Sequence, residues 1–337
     1  MAYTPKYTLT KKILVDLNAS ERLYGRLDGI VVPNNLLLNL ERENLIQSSF
    51  SSNRIEGNKL SQYDVTNLIL DERTPVSHDE FDVKNYYDIL RNLQSISERK
   101  LDLNLILDLH RMLFAKTKPQ MAGKIRNIEV VIGRQGSDGK WIIRHTPPTS
   151  KVTEIERKLQ SVLKWVNESD DLPIIKCAIF HHYFVYIHPF EDGNGRVCRI
   201  MTSLLFLKFG YEINRYFILD DYYDTDRNNY SAMLHTADGG DLTQWIEYFI
   251  EGVRRSLESS VAKIEIGLQA SKVSLRPTKG EQRIVEILKR KREVTSSDVA
   301  SDLNVSRQQA HNLLSGVVAK GYVVPVGRGK ASYYKIR

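Results

Sequence analysis

Twelve consecutive residues, His188-Pro-Phe-Glu-Asp-Gly-Asn-Gly-Arg-Val-Cys-Arg199, hold side chains and glycines that could work together on a phosphorylated ligand. Gly193 and Gly195 lack side chains where a backbone could approach a ligand closely, and glycine tolerates positive φ. Their amides and that of Asn194 precede an apolar helical run, where exposed N–H groups and the helix dipole favour an anion. Arg196 and Arg199 are spaced to reach phosphate oxygens with forked donors. Asp192 offers the single carboxylate that Mg²⁺ uses alongside substrate phosphates. His188 stands just ahead and is expected to titrate near neutral pH, as a general base requires. Singly, these features are commonplace: a buried histidine more often just packs, and Asp-Gly-Asn-Gly more often just turns. Together, the eight fixed positions of His-Pro-Phe-x-Asp-Gly-Asn-Gly-Arg would recur by chance in roughly one window in ten billion at average residue usage. They describe a nucleoside triphosphate–metal site with a base beside it.

Such a loop needs rigid supports on both sides, and the flanking sequence supplies them. Leu172 to Ile187 and Val197 to Phe209 are apolar almost all round, so both are expected as helices inside a bundle. Asp171 and Pro173 are expected to cap and start the first, and Gly210 to stop the second. Leu105, Leu109, Met112 and Leu113 form one helical stripe, and Ile155, Leu159, Val162 and Val166 another. His181 and His182 read as packing or hydrogen-bonding residues, and with His188 they lack the ligand spacing of a zinc site. One stretch departs from helix. Val130-Val131-Ile132 and Trp141-Ile142-Ile143 are β-rich and flank Gly136-Ser137-Asp138-Gly139, a hairpin signal. Near the N-terminus, Ser52 and Glu56 lie four apart on one helix face, and Gly57 should end that helix.

Composition bounds the rest. The chain has 337 residues, 42% hydrophobic and 26% charged, which fits a folded protein of two or three domains. No apolar run reaches the roughly 18 residues of a membrane span, and Met1 to Thr10 has no signal-peptide core. Cys177 and Cys198 make neither a disulfide framework nor a zinc site, so a reducing cytoplasm is the expected location. The net charge of +7 is uneven. Ser271 to Arg337 holds 14 Lys+Arg against 5 Asp+Glu, while the other 270 residues hold 34 against 36. A basic tail on a near-neutral body suggests a polyanion-binding module. Helices at Glu281–Lys291, Ser296–Leu303 and Ser306–Lys320 are followed by Tyr322-Val323-Val324, a turn at Gly327–Lys330 and Tyr333-Tyr334. That order describes a winged helix-turn-helix. Arg307, Gln308 and Gln309 would lead its recognition helix, Arg328 and Lys330 would sit in the wing, and double-stranded DNA is the expected partner.

The motif at 188–199 resembles the signature of the Fic family, whose members are helical proteins that mostly transfer AMP from ATP to a hydroxyl of a target protein. The resemblance implies that His188 deprotonates a Ser, Thr or Tyr hydroxyl and that Asp192 holds Mg²⁺. It implies that Gly193, Asn194 and Gly195 cradle the phosphates, that Arg196 and Arg199 bind the outer ones, and that Phe190 anchors the loop in the core. Gly123-Lys-Ile-Arg126 leading into Val130, Val131, Ile132 and Gly133 looks like the family's flap, whose edge could hold an extended target segment by strand addition. Tyr230 lies where family members often have two tyrosines near the adenine; here Ser231 replaces the second. Ser52-Asn-Arg-Ile-Glu56-Gly57 is similar to the family's inhibitory motif. The resemblance implies that Glu56 pairs with Arg199 and keeps it from the γ-phosphate.

The expected architecture is therefore mainly α. An N-terminal helical region spans 1–95, with an inhibitory helix near 48–57. A Fic-type bundle follows at 96–265, with a hairpin flap at 126–146 and the motif at 188–199. A linker at 266–280 leads to a winged helix-turn-helix at 281–337. The expected function is autoinhibited protein adenylylation using ATP and Mg²⁺. Two alternatives are a DNA-binding transcription regulator whose core senses nucleotide, and removal of AMP from modified protein, since Glu56 could also orient a water. Apolar bundle surfaces also allow a homodimer.

Overall fold

A computed structural model describes residues 3–29, 32–135, 141–275, 278–320, 322–327 and 332–336, with the backbone alone at 34, 35, 134, 135, 141, 142, 270–275 and 319. The turn at Gly136–Gly139, and Arg328 and Lys330, lie outside these residues. The chain divides into two compact units, Met1–Ala262 and Lys263–Arg337. It is mainly helical.

At the centre of the first unit, α8 (Pro173–Ile187) packs against α9 (Asn194–Lys208). Both bury residues on every side, as their composition requires; Ile174, Ala178, Phe180 and Phe184 are at most 1% exposed. Each such side chain is worth roughly 1.5–3 kcal/mol on burial, apart from the small Ala178. Pro173 takes the first helical position of α8, where a missing N–H costs nothing. Leu172, not Asp171, is its cap residue, and the Asp171 carboxylate instead accepts from Tyr7 and Ser169. Gly210 ends α9 at φ +88°, with its N–H to Leu207 and that of Tyr211 to Phe206, a Schellman closure. α9 begins at Asn194, three residues earlier than the apolar run, so Asn194 and Gly195 belong to its first turn.

Around this pair lie α1 (Lys11–Gly29), α2 (Asn34–Ile55), α3 (Gln62–Leu70), α4 (His78–Arg91), α5 (Leu93–Ser97), α6 (Leu103–Phe114) and α7 (Val152–Glu168). They are followed by α10 (Asp220–Thr225), α11 (Arg227–Thr236) and α12 (Thr243–Leu275), which belongs to this unit as far as Ala262. The α7 stripe is buried throughout. In α6, Leu105, Leu109 and Leu113 are fully buried, but Met112 is 41% exposed, because it falls on the edge of the stripe. α2 ends in a second Schellman closure, with Gly57 at φ +89° and bonds from Gly57 N to Arg54 O and from Asn58 N to Asn53 O. The hairpin pairs β1 (Ile132–Gln135) with β2 (Trp141–His145), Gly133 opposite Ile143, with a register shift after Ile132. Val130 and Val131 precede the strand and do not join it. Helix α12 continues to Leu275, past Ser271 and Ser274, where a break was expected; two serines weaken a helix only slightly.

In the second unit, α13 (Lys279–Lys291), α14 (Ser296–Leu303) and α15 (Arg307–Ala319) close on an apolar core that includes Ile284, Val299, Leu314 and Val323. Thr278, Thr295 and Ser306 each head a capping box. Asn304 turns the chain in the left-handed region at φ +51°. A small sheet adds β3 (Glu293–Val294), β4 (Val323–Val326) and β5 (Tyr333–Ile336) in the order β3-β5-β4. β3 is too short to show a period in the sequence.

Candidate active site

Helix α8 stops at His188, whose backbone is left-handed at φ +50°, and α9 starts after Gly193 at φ +77°. The five residues from His188 to Asp192 form a tight bend. Phe190 nails it into the core: its ring is fully buried and stacked 3.8 Å from that of His110. The Asn194 side chain clasps the bend by accepting from Phe190 N and donating to Phe190 O, both at 2.8 Å. Its contribution to any ligand is therefore confined to its backbone N–H. A Cβ on Gly193 would run into the Phe114 ring, so this position needs glycine for space as well as for φ.

His188 Nδ1 lies 3.3 Å from Val185 O. A carbonyl only accepts, so Nδ1 carries the proton and Nε2 keeps the lone pair of a base. Burial lowers the His188 imidazole to about 4, against the near-neutral value expected from sequence. The sequence could not show how completely the bend removes the ring from water. A lowered value keeps the ring neutral at pH 7.

The first turn of α9 has no side-chain cap, so its N–H groups are open to an anion. Glu56, at the end of α2, meets this turn. Its Oε1 lies 2.8 Å from Arg199 Nη2, and a Cβ on Gly195 would collide with the same oxygen. Arg199, 3% exposed, is held further by Ser52 through Nε to Oγ at 2.7 Å and Nη2 to the backbone O at 2.9 Å. Asp220 Oδ1 stands 3.5 Å from Arg199 Nε and is itself fixed by Ser48 and Tyr86. Burial would lower the Arg199 guanidinium, but Glu56 and then its aromatic and acidic neighbours outweigh that and raise it.

Arg196 is buried against Asp82 at 2.7 Å, with its guanidinium 4.9 Å over the Phe114 ring. Asp192 accepts from Lys118 Nζ at 2.5 Å and from Gly193 N at 2.6 Å. Burial alone would raise the Asp192 carboxyl, but Lys118 and Arg196 bring it below its ordinary range. A carboxylate paired with an ammonium beside the uncapped start of α9 has the donor type that suits Mg²⁺. Tyr230 is buried, its hydroxyl 2.8 Å from His181 Nε2 and its ring stacked on Tyr223. The neighbouring Ser231 accepts from Arg144 of β2 at 2.8 Å and so holds the hairpin. His181 has both ring nitrogens engaged, by Thr202 and Tyr230, as a packing residue should.

The structure thus brings His188, Asp192, Gly193, Asn194, Gly195, Arg196, Arg199, Ser52 and Glu56 to one place. The hairpin residues Val130 to Gly133 follow Arg126, whose role the sequence did not reveal. Arg126 is 2% exposed and donates to His188 O at 2.6 Å, Ile128 O at 2.7 Å, Thr149 O at 2.8 Å and Ile187 O at 3.3 Å. It ties both ends of the hairpin segment to the bend that carries His188. Lys118, Asp82, Asp220 and His110 carry no local sequence signal, since each meets a partner far away in sequence.

Comparison with known proteins shows the following similarities. The chain is 28% identical over 177 residues to the protein adenylyltransferase fic-1 of Caenorhabditis elegans, covering 52% of this chain and 31% of that protein. It is 26% identical over 239 residues to the protein adenylyltransferase Fic of Nematostella vectensis, covering 67% and 51%. The alignments to these relatives thus take in about a third to a half of the relatives' length. The fold resembles that of a Fic family protein from Desulfovibrio desulfuricans, with TM-score 0.70 and 22% identity over 99% of this chain and 98% of that one. It also resembles Fic-1 of C. elegans, with TM-score 0.61 and 22% identity over 76% and 73%. Residues 100–206, which include α6, the hairpin, α8, the bend and most of α9, match the Fic/DOC family.

Proposed function

We propose that the chain is a protein adenylyltransferase restrained by its own Glu56. The observation that carries this reading is the placement of the Glu56 carboxylate against Gly195 and Arg199, at the uncapped start of α9, with the His188 lone pair on the same bend. With ATP in place, the first-turn N–H groups of α9 and Arg199 would hold the phosphates. Mg²⁺ would be held by Asp192 and would neutralise phosphate charge. The hairpin edge would align a target segment. His188 Nε2 takes the proton from a Ser, Thr or Tyr hydroxyl, the hydroxyl oxygen bonds to the α-phosphorus, and the bond to the β-phosphate oxygen breaks to release pyrophosphate. Glu56 opposes this by claiming Arg199 and by filling the place of the outermost phosphate with like charge. Intact-mass measurement after incubation with ATP and Mg²⁺ tests the reading. Glu56→Gly should gain AMP on itself or on an added target, and Glu56→Gly with His188→Ala should not. A gain of phosphate instead, or a gain that survives His188→Ala, overturns it.

A second reading concerns Lys263–Arg337. Three helices with a β3-β5-β4 sheet, and Arg307 and Gln308 exposed at the start of α15, support a winged helix-turn-helix that binds duplex DNA. The Gln309 side-chain oxygen is already engaged by Ser306 in the cap, which leaves its NH₂ for a base edge. Fluorescence anisotropy with duplex DNA should show affinity that falls steeply with salt, as counterion release demands. Absence of binding at low salt refutes it.

A further inference from the structure

A second cluster of chemistry-bearing side chains lies apart from the bend. His145 ends β2, His182 lies in α8, His235 in the last turn of α11, and Asp238 just beyond. All three imidazoles converge on one carboxylate. His145 Nδ1 is 3.1 Å and His235 Nδ1 3.0 Å from Asp238 Oδ2, and His182 Nε2 is 3.3 Å from Oδ1.

Hydrogen-bond accounting makes this arrangement unusual. His145 Nε2 is 2.8 Å from Tyr186 O. A carbonyl only accepts, so that nitrogen must carry a hydrogen. The other nitrogen faces a carboxylate, which also only accepts. A neutral imidazole has one N–H, not two. Either His145 is a largely buried imidazolium, or a cation lies between its Nδ1 lone pair and Asp238. His182 is similarly placed: Nε2 serves Asp238, while Nδ1 is buried with no partner.

We propose that His145, His235 and Asp238 form a Zn²⁺ site. One ligand atom from each residue lies within 4.8 Å of the others, and both imidazoles meet Asp238 Oδ2 through Nδ1. Zinc bonds of about 2.0–2.1 Å in a tetrahedron put ligands roughly 3.3 Å apart, so small side-chain shifts complete the set. The surroundings are those a zinc site needs. The Tyr186 carbonyl fixes the His145 tautomer with Nδ1 toward the metal, and His182 N–H orients the carboxylate. Side-chain exposure of 23% for His235 and 26% for Asp238 gives an ion a way in. Asp238 also borders an open cavity of about 490 Å³, with His182, Tyr186 and Gly239 among its other walls, from which an ion can reach the carboxylate. The ion would pin the end of β2 to α11. The inference does not rest on the chemistry assigned to the bend, whose donors are a different set.

The test uses the full chain, stripped with chelator and titrated with Zn²⁺ by calorimetry and with Co²⁺ by visible spectroscopy. One equivalent of Zn²⁺ should bind, and Co²⁺ should give the intense bands of a tetrahedral site. His235→Ala, at a partly exposed position where folding can be checked by circular dichroism, should lose the stoichiometric site. His182→Ala should weaken it by about 10- to 100-fold as an outer-shell change, and His188→Ala should leave it intact. No uptake by the wild type, or uptake unchanged by His235→Ala, overturns the proposal. So does a metal-free His145 imidazolium, seen by nitrogen NMR as two ring N–H groups at pH 7, that Zn²⁺ does not alter.

Discussion

Replacing Glu56 separates two ways in which a carboxylate can block a phosphate. Glu56 Oε1 is 2.8 Å from Arg199 Nη2, with Arg199 2% and Glu56 32% exposed at the side chain. At an effective permittivity of 20 and a charge separation near 4 Å, the pair attraction is about 4 kcal/mol. An outer phosphate at the same place would meet a repulsion of the same order. Exposure of about a third of the carboxylate screens part of this, and retaining half leaves ~2 kcal/mol, or ~30-fold in affinity. Charge is one share of the block and occupied volume the other, since the same oxygen lies 2.1 Å from where a Gly195 Cβ would be. Glu56→Gln removes the charge and keeps the bulk, and Glu56→Gly removes both. Transfer of labelled AMP at limiting ATP should therefore rise in the order Glu, Gln, Gly, with the glycine variant at least about 30-fold above the parent chain. Calorimetry with a non-hydrolysable ATP analogue should follow the same order. A glycine variant within about twofold of the parent in both assays refutes the brake. Equal rates for Gln and Gly refute the contribution of volume.

Burial holds the His188 imidazole near 4, so the ring is neutral at physiological pH and protonates only as pH falls through that value. The acid limb of kcat/KM, which reports the free enzyme, should have its midpoint near 4, and lower still in Glu56→Gly, because the Glu56 charge pulls the value upward. A midpoint near the ordinary histidine value of about 6.5 would contradict the buried setting. Gly193→Ala combines a left-handed backbone with a Cβ driven into Phe114; it should cost about 2–5 kcal/mol and abolish nucleotide binding, read by thermal unfolding and calorimetry. Arg126→Ala strips the donors from four backbone carbonyls and should cost upward of about 3 kcal/mol, lowering Tm by roughly 6–12 °C. A Tm within about 2 °C of the parent would show that solvent replaces those bonds.

The sequence alone determined what acts at short range. The motif from His188 to Arg199 is contiguous, so its glycines, carboxylate and arginines could be read as one site before any fold was known. The four-residue spacing of Ser52 and Glu56, the stop at Gly57 and the all-round apolar composition of α8 and α9 are local in the same way. What only tertiary structure decided are the contacts that close long loops. They include the meeting of Glu56 with Arg199 across 143 residues, which the resemblance implied but the spacing could not show. They also include the Arg126 clasp, the pairing of Lys118 with Asp192, and the gathering of His145, His182 and His235 around Asp238. None of these has a period or a spacing. Each partner is an ordinary residue in its own segment and gains meaning only when packing removes water and leaves one partner within reach. The same loss of water set the proton affinity of His188, which is a property of the bend and not of the residue.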